Sequence, residues 1–212
     1  MTEPPLSLTE EAHRRIRSDI IEGRIRPNVH LVANDLAQQL EISRTPIREA
    51  LQLLASEGLV VATRRGFVVR EHSPEEIRHI YEVRAALEEM AARLAAERAT
   101  ADHIATLEQL GAHTKATAGG PREVIVDLND AFHEAIMVAA RNPRLRNINQ
   151  RNSEHFFNYN IAKLYSHEEA AQAIAEHATM LKAIKKRDGD AAAKASREHV
   201  MNALEVTLQK LR

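Results

Sequence analysis

The chain has 212 residues, a formal net charge of −1, a hydrophobic fraction of 44% and a charged fraction of 28%, all ordinary for a globular protein of one or two domains. It contains no cysteine, which excludes disulfides, thiol catalysis and cysteine-based zinc sites, and its aromatic fraction of 3% argues against base-stacking platforms for single-stranded nucleic acid. Because no run approaches the ~18 apolar residues of a membrane span and the first residues do not resemble a signal peptide, we expect a cytoplasmic location.

The first part of the chain carries three helix signals in succession. Residues 9–22 form the first predicted helix, which Thr9 would cap and a glycine would end. A short helix is predicted from about Val32 to Leu40. After a tight connection, a third helix is predicted from about Arg44 to Glu57, capped by Ser43.

Two β-rich runs follow the third predicted helix. Leu59–Thr63 and Phe67–Arg70 flank the basic turn Arg64-Arg65-Gly66, a pattern that predicts a hairpin. The order of helix, helix, turn, helix and hairpin is that of a winged helix-turn-helix domain. We assign this domain to residues 1–72.

The second part of the chain begins with a strong helix start. Ser73 is placed to cap the helix, Pro74 occupies its first turn and Glu76 completes a capping box, so we place the domain boundary before Ser73. Only helices are predicted beyond it, over 74–98, 101–115, 121–140, 143–164, 167–187 and 190–211. The predicted fold is therefore mainly α, with a winged helix-turn-helix followed by an all-helical bundle of about six helices over 73–212.

A helix that reads the major groove of DNA needs hydrogen-bond donors near its N-terminus. Arg44 and Arg48 are four residues apart and share one face of the third predicted helix, while Ile47 and Leu51 fall on the face toward the core. Each arginine could donate two hydrogen bonds to guanine O6 and N7. The alternative is that both are ordinary solvated surface charges.

Other residues of this region suit contacts with the phosphate backbone. Ser43 and Thr45 could donate to phosphate oxygens. Arg64 and Arg65 would lie at the wing tip, where Gly66 would allow the backbone to come close to DNA. From Ile42 to Arg70 five arginines stand against two glutamates, a local balance of +3.

These residues also carry a family resemblance. The chain is similar to the N-terminal domain of the GntR superfamily in the segments Val32–Ala37, Ile42–Leu51, Glu57–Val60 and Arg65–Val69. The resemblance implies DNA contacts by Arg44, Thr45, Arg48 and Gly66. In that family a charged residue often occupies the stretch where this chain has Ala33 and Asn34, and Asn34 could still donate a hydrogen bond.

The second part of the chain is rich in histidine, with candidates for a metal site. Asn129 and His133 lie four apart on one predicted helix and share a face, while His177 and His199 lie on two helices separated by a break at Gly189. If those two helices pack antiparallel, their histidines lie at similar heights. Three imidazoles and one oxygen donor could hold Zn²⁺ or a similar divalent ion. The alternative is that they are scattered surface or core histidines.

Residues 74–212 resemble the FCD effector domain of the FadR subfamily, in its shorter, VanR-like branch. The matching segments are Val83–Glu88, Asn129–His133, Asn142–Leu145, Glu176–His177 and His199. The resemblance implies a divalent metal (zinc first, with nickel, manganese or iron as alternatives) held by Asn129, His133, His177 and His199. It also implies a small carboxylic acid as effector, with Arg84 as its clamp. Arg84 could instead form an intrahelical ion pair with Glu88.

Together these patterns predict a homodimeric, ligand-responsive DNA-binding regulator rather than an enzyme. Two winged domains would read an inverted repeat in double-stranded operator DNA, and family habit favours repression over activation. Two alternatives stay open at this point. One is a metal-dependent hydrolase with an appended winged domain. The other is a regulator whose metal is purely structural.

Overall fold

A computed structural model of the chain describes residues 6–117, 120–154 and 165–211. The chain divides into two compact units, Met1–His72 and Ser73–Arg212. Nine helices and three short strands lie within the described ranges, so the predicted mainly helical fold is confirmed. No helix in those ranges combines the length and the apolar character that a bilayer crossing requires.

The first unit packs three helices against a small antiparallel sheet. Buried apolar side chains from all three helices fill the space between them, as the 3.6-residue periodicity predicted. The helices are α1 (Leu8–Ile21), α2 (Ala33–Leu40) and α3 (Arg44–Ser56), and the strands are β1 (His30–Leu31), β2 (Val60–Thr63) and β3 (Gly66–Val69). The sheet order is β1-β3-β2, and the predicted hairpin corresponds to β2 and β3.

The start of α1 differs from the prediction. Ser7, and not Thr9, caps the helix, because Ser7 stands three residues before Glu10 and the two form a reciprocal capping box. The hydroxyl of Thr9 instead donates to the carboxylate of Glu49 on α3 at 2.7 Å. The prediction that Thr9 caps α1 is therefore wrong.

Strand β1 was not predicted, because two residues are too short to show an alternating pattern. It pairs with β3, where Leu31 lies opposite Phe67. Gly66 has φ +127°, and a Cβ at this position would lie 2.9 Å from the carbonyl oxygen of Leu31. Glycine is thus required at the start of β3 because the chain of β1 passes close to it.

The second unit is a bundle built around its first helix. Its helices are α4 (Pro74–Arg98), α5 (Ala101–Ala116), α6 (Arg122–Ala139), α7 (Pro143–Glu154), α8 (His167–Lys185) and α9 (Gly189–Lys210). Helix α4 packs against α6, α7, α8 and α9, and a row of fully buried alanines on α4 lets these neighbours approach closely. The predicted helix over 143–164 is confirmed to Glu154, and its remainder lies outside the described residues.

Two helix ends in this bundle show how the elements are fixed. The capping box of Ser73 and Glu76 at the start of α4 forms as the sequence predicted. At the other end of α4, the guanidinium of Arg187 donates to the carbonyl oxygens of Ala96 and Ala99, at 3.1 and 2.7 Å. Carbonyls at a helix C-terminus lack partners within the helix, so Arg187 satisfies two of them.

We predict that Gly66→Ala destabilises the first unit by roughly 1–3 kcal/mol, because alanine combines an unfavourable positive φ with the clash against the Leu31 carbonyl. Gly111→Ala is the matched control. It lies within α5, and its new Cβ would meet Leu181 at an ordinary contact distance of 3.7 Å. That control should raise stability by about 0.5–1 kcal/mol. Thermal denaturation, with hydrogen exchange in β3, measures both. Equal effects of the two substitutions would contradict the steric role assigned to Gly66.

Candidate DNA interface and candidate metal centre

The start of α3 presents two arginines to solvent. Arg44 and Arg48 are exposed, whereas Ile47 and Leu51 are fully buried in the first unit. Within the described part of the chain neither guanidinium group makes an ion pair or a hydrogen bond, and the first turn of α3 contains no acidic residue. The positive end of the helix dipole and two uncommitted guanidinium groups therefore face the same side.

Ser43 and Thr45 lie beside this arginine pair. Ser43 occupies the N-cap position of α3 and has extended backbone, but its hydroxyl makes no capping hydrogen bond, so the predicted side-chain cap is absent at this helix. Both side chains are exposed. The hydroxyl groups and the unpaired N–H groups of the first turn form a set of donors that suits phosphate oxygens.

The remaining candidate residues of the first unit are exposed as well, with one exception. Arg64 and Arg65 are exposed at the turn between β2 and β3, and Asn34 is exposed on α2. Gly66 is half-buried, and a side chain at this position would clash with the carbonyl oxygen of Leu31. The fold therefore requires this glycine whether or not it also contacts DNA.

Three histidines converge in the interior of the second unit. His133 on α6, His177 on α8 and His199 on α9 are each at least nine-tenths buried. The Nε2 atom of His133 lies 3.1 Å from Nε2 of His199 and 3.3 Å from Nε2 of His177. One ligand nitrogen from each ring falls within 4.8 Å of the other two.

Two carboxylates contact the outward-facing nitrogens of these rings. Oε2 of Glu88 lies 2.8 Å from Nδ1 of His133, a close polar contact without the alignment of a hydrogen bond. Oε2 of Glu176 lies 2.8 Å from Nδ1 of His199 and accepts a hydrogen bond from it. A carboxylate at Nδ1 favours the tautomer that carries its proton there, which leaves the Nε2 lone pair directed toward the centre of the cluster.

The spacing of the Nε2 atoms suits a shared cation. Lone pairs at 3.1 and 3.3 Å repel one another unless a proton or a positive ion lies between them. Two nitrogen ligands at about 2.0–2.1 Å from a tetrahedral zinc ion lie about 3.3–3.4 Å apart. The donor set of three imidazoles and these two separations therefore fit a divalent ion with further coordination positions open.

Burial favours the neutral form of His177 and His199, which is the form of imidazole that binds metal. Desolvation lowers the pKa of His177 well below its ordinary value and also lowers the pKa of His199, although the contact with Glu176 counteracts it. Burial by itself would raise the pKa of Glu88, but the charge of Arg84 and the contact with His133 hold that pKa below its usual range. The carboxylate of Glu88 therefore stays ionised inside the bundle.

Arg84 forms the ion pair that was one of its two predicted roles. Its Nε donates to Oε1 of Glu88 at 2.6 Å, and both side chains are buried. Glu88 thus joins Arg84 on one side to His133 on the other. The spacing of Arg84 and Glu88 along the helix predicted the pair, but nothing in the sequence indicated the contact with His133. Arg84 also borders the cavity described next.

A cavity adjoins the histidine cluster. His177, His199, Arg84 and Asn129 border it, and so do Tyr81, Tyr165 and several apolar residues of α6, α8 and α9. Asn129 is half-buried, and its Nδ2 donates to Oδ1 of Asp130 at 3.2 Å. Among the described residues no hydrogen bond joins Asn129 to the histidines. The structure thus brings three of the four predicted ligands together and leaves the fourth at the cavity wall.

Comparisons with known proteins show the family to which the two units belong. The model of the FCD domain matches residues 79–202, and the model described as "Bacterial regulatory proteins, gntR family" matches residues 8–69. The uncharacterized HTH-type transcriptional regulator YdhC of Bacillus subtilis is 28% identical over 192 residues, which cover 89% of this chain and 84% of YdhC. The transcriptional repressor RspR of Escherichia coli is 27% identical over 210 residues, covering 97% of this chain and 91% of RspR.

A solved structure shows the same fold along the whole chain. The structure of McbR/YncC from E. coli superposes with a TM-score of 0.81 at 26% identity, and the match covers 98% of this chain and all of that one. The fold similarity therefore extends over both units.

We predict that Glu88→Gln and Arg84→Met each lower the free energy of unfolding by roughly 3 kcal/mol, because each leaves one buried charge without its partner. The double variant should lose less than the sum of the two, with a coupling of about 0.5–3 kcal/mol. Urea denaturation of the wild type, the two single variants and the double variant measures this coupling, and a chelator removes any contribution from bound metal. As a control, Glu89→Gln removes a carboxylate from an exposed pair with Arg197 and should change stability by less than about 0.5 kcal/mol. Additive losses would show that the buried pair is not coupled.

Proposed function

Because the chain belongs to the GntR family of bacterial regulatory proteins and carries an FCD domain, we propose that this transcription regulator reads DNA with the start of α3 and senses a metal-bound acid in its helical bundle. The observation that carries the proposal is the convergence of three buried imidazoles beside a cavity, in a chain whose other unit presents two uncommitted arginines. Each half of the proposal has its own test.

In the DNA-binding half, Arg44 and Arg48 contact base edges in the major groove. Their guanidinium groups are exposed, and α3 directs them from the end of the helix that enters the groove. Ser43, Thr45 and Asn34 donate to phosphates or bases. Arg64, Arg65 and the backbone at Gly66 contact the phosphate backbone at the wing.

In the sensing half, His133, His177 and His199 hold a divalent ion, with Asn129 as an additional oxygen ligand. The bound ion supplies a positive charge and open coordination positions for a carboxylate. Glu88 and Glu176 orient the rings of His133 and His199, and burial favours the unprotonated form of His177 and His199. Zinc suits a site of three imidazoles, and nickel, manganese or iron would also accept this donor set.

The acid effector occupies the cavity beside the cluster. Arg84 borders this cavity, and the part of its guanidinium that does not bind Glu88 is available to a carboxylate. The effector can change the free energy of DNA binding only by the difference between its own binding free energies for two packing states of the bundle. Repression relieved by the effector is the expected mode, in line with the repressor RspR. A homodimer would match an operator with two-fold symmetry.

The hydrolase alternative has less support. A metal-dependent hydrolase needs a carboxylate or imidazole that is free to take a proton from bound water. Glu88 and Glu176, the two carboxylates in contact with the histidine cluster, both lie against imidazole Nδ1 atoms. The alternative of a purely structural metal predicts a different result from a sensing site, because candidate acids would then leave the affinity for DNA unchanged.

We predict that Arg48→Ala weakens binding to the preferred duplex by about 1–3 kcal/mol, or roughly five- to 150-fold, because a two-bond contact to a guanine is lost. The preferred duplex is first selected from random DNA with the wild-type protein, and affinities are then measured by fluorescence anisotropy. Arg78→Ala removes the same charge from an exposed site on α4 and should have little effect. An equal loss of affinity for all sequences would limit Arg48 to a phosphate contact.

We predict that His177→Ala abolishes metal binding, because the loss of one of three imidazoles leaves too few ligands to hold the ion. Wild-type protein and variant are loaded with zinc, desalted and analysed for metal by mass spectrometry. The control variant His113→Ala removes an exposed histidine of α5 outside the cluster and should retain the wild-type zinc content. Undiminished zinc in a folded His177→Ala protein would contradict the proposed site.

A further inference from the structure

Most of the surface that the cavity beside the histidine cluster exposes is apolar. Ile125 and Val126 of α6, Ile174 of α8, and Ala203 and Val206 of α9 contribute to this apolar surface. The rings of His177 and His199 border the same space. A ligand whose head reaches the histidines therefore has mostly apolar surface to contact with the rest of its length.

Several polar side chains in these walls bind to one another. Tyr81 and Thr207 share a hydrogen bond of 2.9 Å between their hydroxyl groups. Gln172 and Asn202 both donate to Glu176, at 3.0 and 2.7 Å. Hydroxyl groups along the body of a ligand would compete with these existing hydrogen bonds, so each new bond to the ligand would be offset by the loss of a bond within the wall.

The charges in the walls also disfavour a second carboxylate on the ligand. Arg84 is the one cationic side chain among the described residues that border the cavity, and Glu88 already pairs with it. Asp130 and Glu176 contribute negative charge to the same border, and Glu169, which pairs with Lys210, also lies there. Under the proposed function the remaining N–H donors of Arg84 bind the carboxylate at the metal. A second carboxylate would therefore meet these acids with no further cationic side chain among the described residues of the border to balance it.

We propose that the effector is a monocarboxylic acid with an apolar body, and not a dicarboxylic or polyhydroxylated acid. This inference rests on the proposed function, because it takes the carboxylate head at the metal as given. It adds the chemistry of the rest of the molecule. Burial of hydrocarbon against α6, α8 and α9 supplies the affinity, and the single charged group supplies the orientation.

The test compares three six-carbon acids that differ in one property each. Hexanoate has one carboxylate and an apolar chain, adipate adds a second carboxylate, and gluconate adds hydroxyl groups. Binding to the zinc-loaded full chain is measured by isothermal titration calorimetry. Hexanoate should bind about tenfold or more tightly than either of the others. Equal affinities, a preference for adipate or gluconate, or no binding by hexanoate would overturn the inference.

A variant of the apolar wall provides a second readout. Val206→Thr keeps the shape of the side chain but exchanges a methyl for a hydroxyl, so hexanoate affinity should fall by roughly three- to tenfold. Affinity for gluconate should not fall. Val83→Thr makes the same exchange at an exposed site on α4 and serves as the control. An unchanged hexanoate affinity in Val206→Thr would show that the wall does not contact the ligand.

Failure of the proposed function and failure of the ligand class inferred from the cavity give different results. If the proposed function fails, the wild-type chain retains no zinc, and none of the acids alters its affinity for the selected duplex. If only the inference fails, zinc is retained and one of the acids alters DNA affinity, but that acid is adipate or gluconate. The zinc content and the order of the three affinities therefore report separately on the site and on the ligand class.

Discussion

The second unit depends on one buried negative charge, the carboxylate of Glu88. A carboxylate inside a helical bundle is costly unless it is paired, and here Arg84 neutralises it from one turn away on the same helix. Its other oxygen lies against Nδ1 of His133, so the charge that α4 must accommodate also orients a ring on α6. Stability of the bundle and geometry of the candidate metal centre are therefore set by the same three side chains.

The arrangement of the helices explains why three rings from three helices meet. Small residues on α4 allow its neighbours to approach closely, and α6, α8 and α9 all pack against this one helix. The ring of Phe132 stacks on His177 with centroids 4.4 Å apart and holds by packing a histidine that no carboxylate of the described residues contacts. Each of the three imidazoles is thus oriented from outside the cluster, two by carboxylates and one by an aromatic ring.

In the first unit, fold and recognition use different faces of the same short segments. Helix α3 buries Ile47 and Leu51 and leaves Arg44 and Arg48 exposed. At Gly66 the fold and the proposed DNA contact both involve one residue. The fold needs a glycine there because the backbone of β1 passes close to it, whatever its role toward DNA. A substitution there would alter the hairpin before it altered any contact with a duplex.

The sequence by itself determined the order of the elements, the capping box at Ser73 and the outward face of Arg44 and Arg48. These features rest on residues within one or two turns of each other, where helical spacing fixes their relation. Only the tertiary structure decided the pairing of β1 and the contacts of Glu88 and Glu176 with His133 and His199. The residues concerned are tens of positions apart in the sequence. Their contact depends on how closely whole helices and strands pack, which local sequence spacing does not determine.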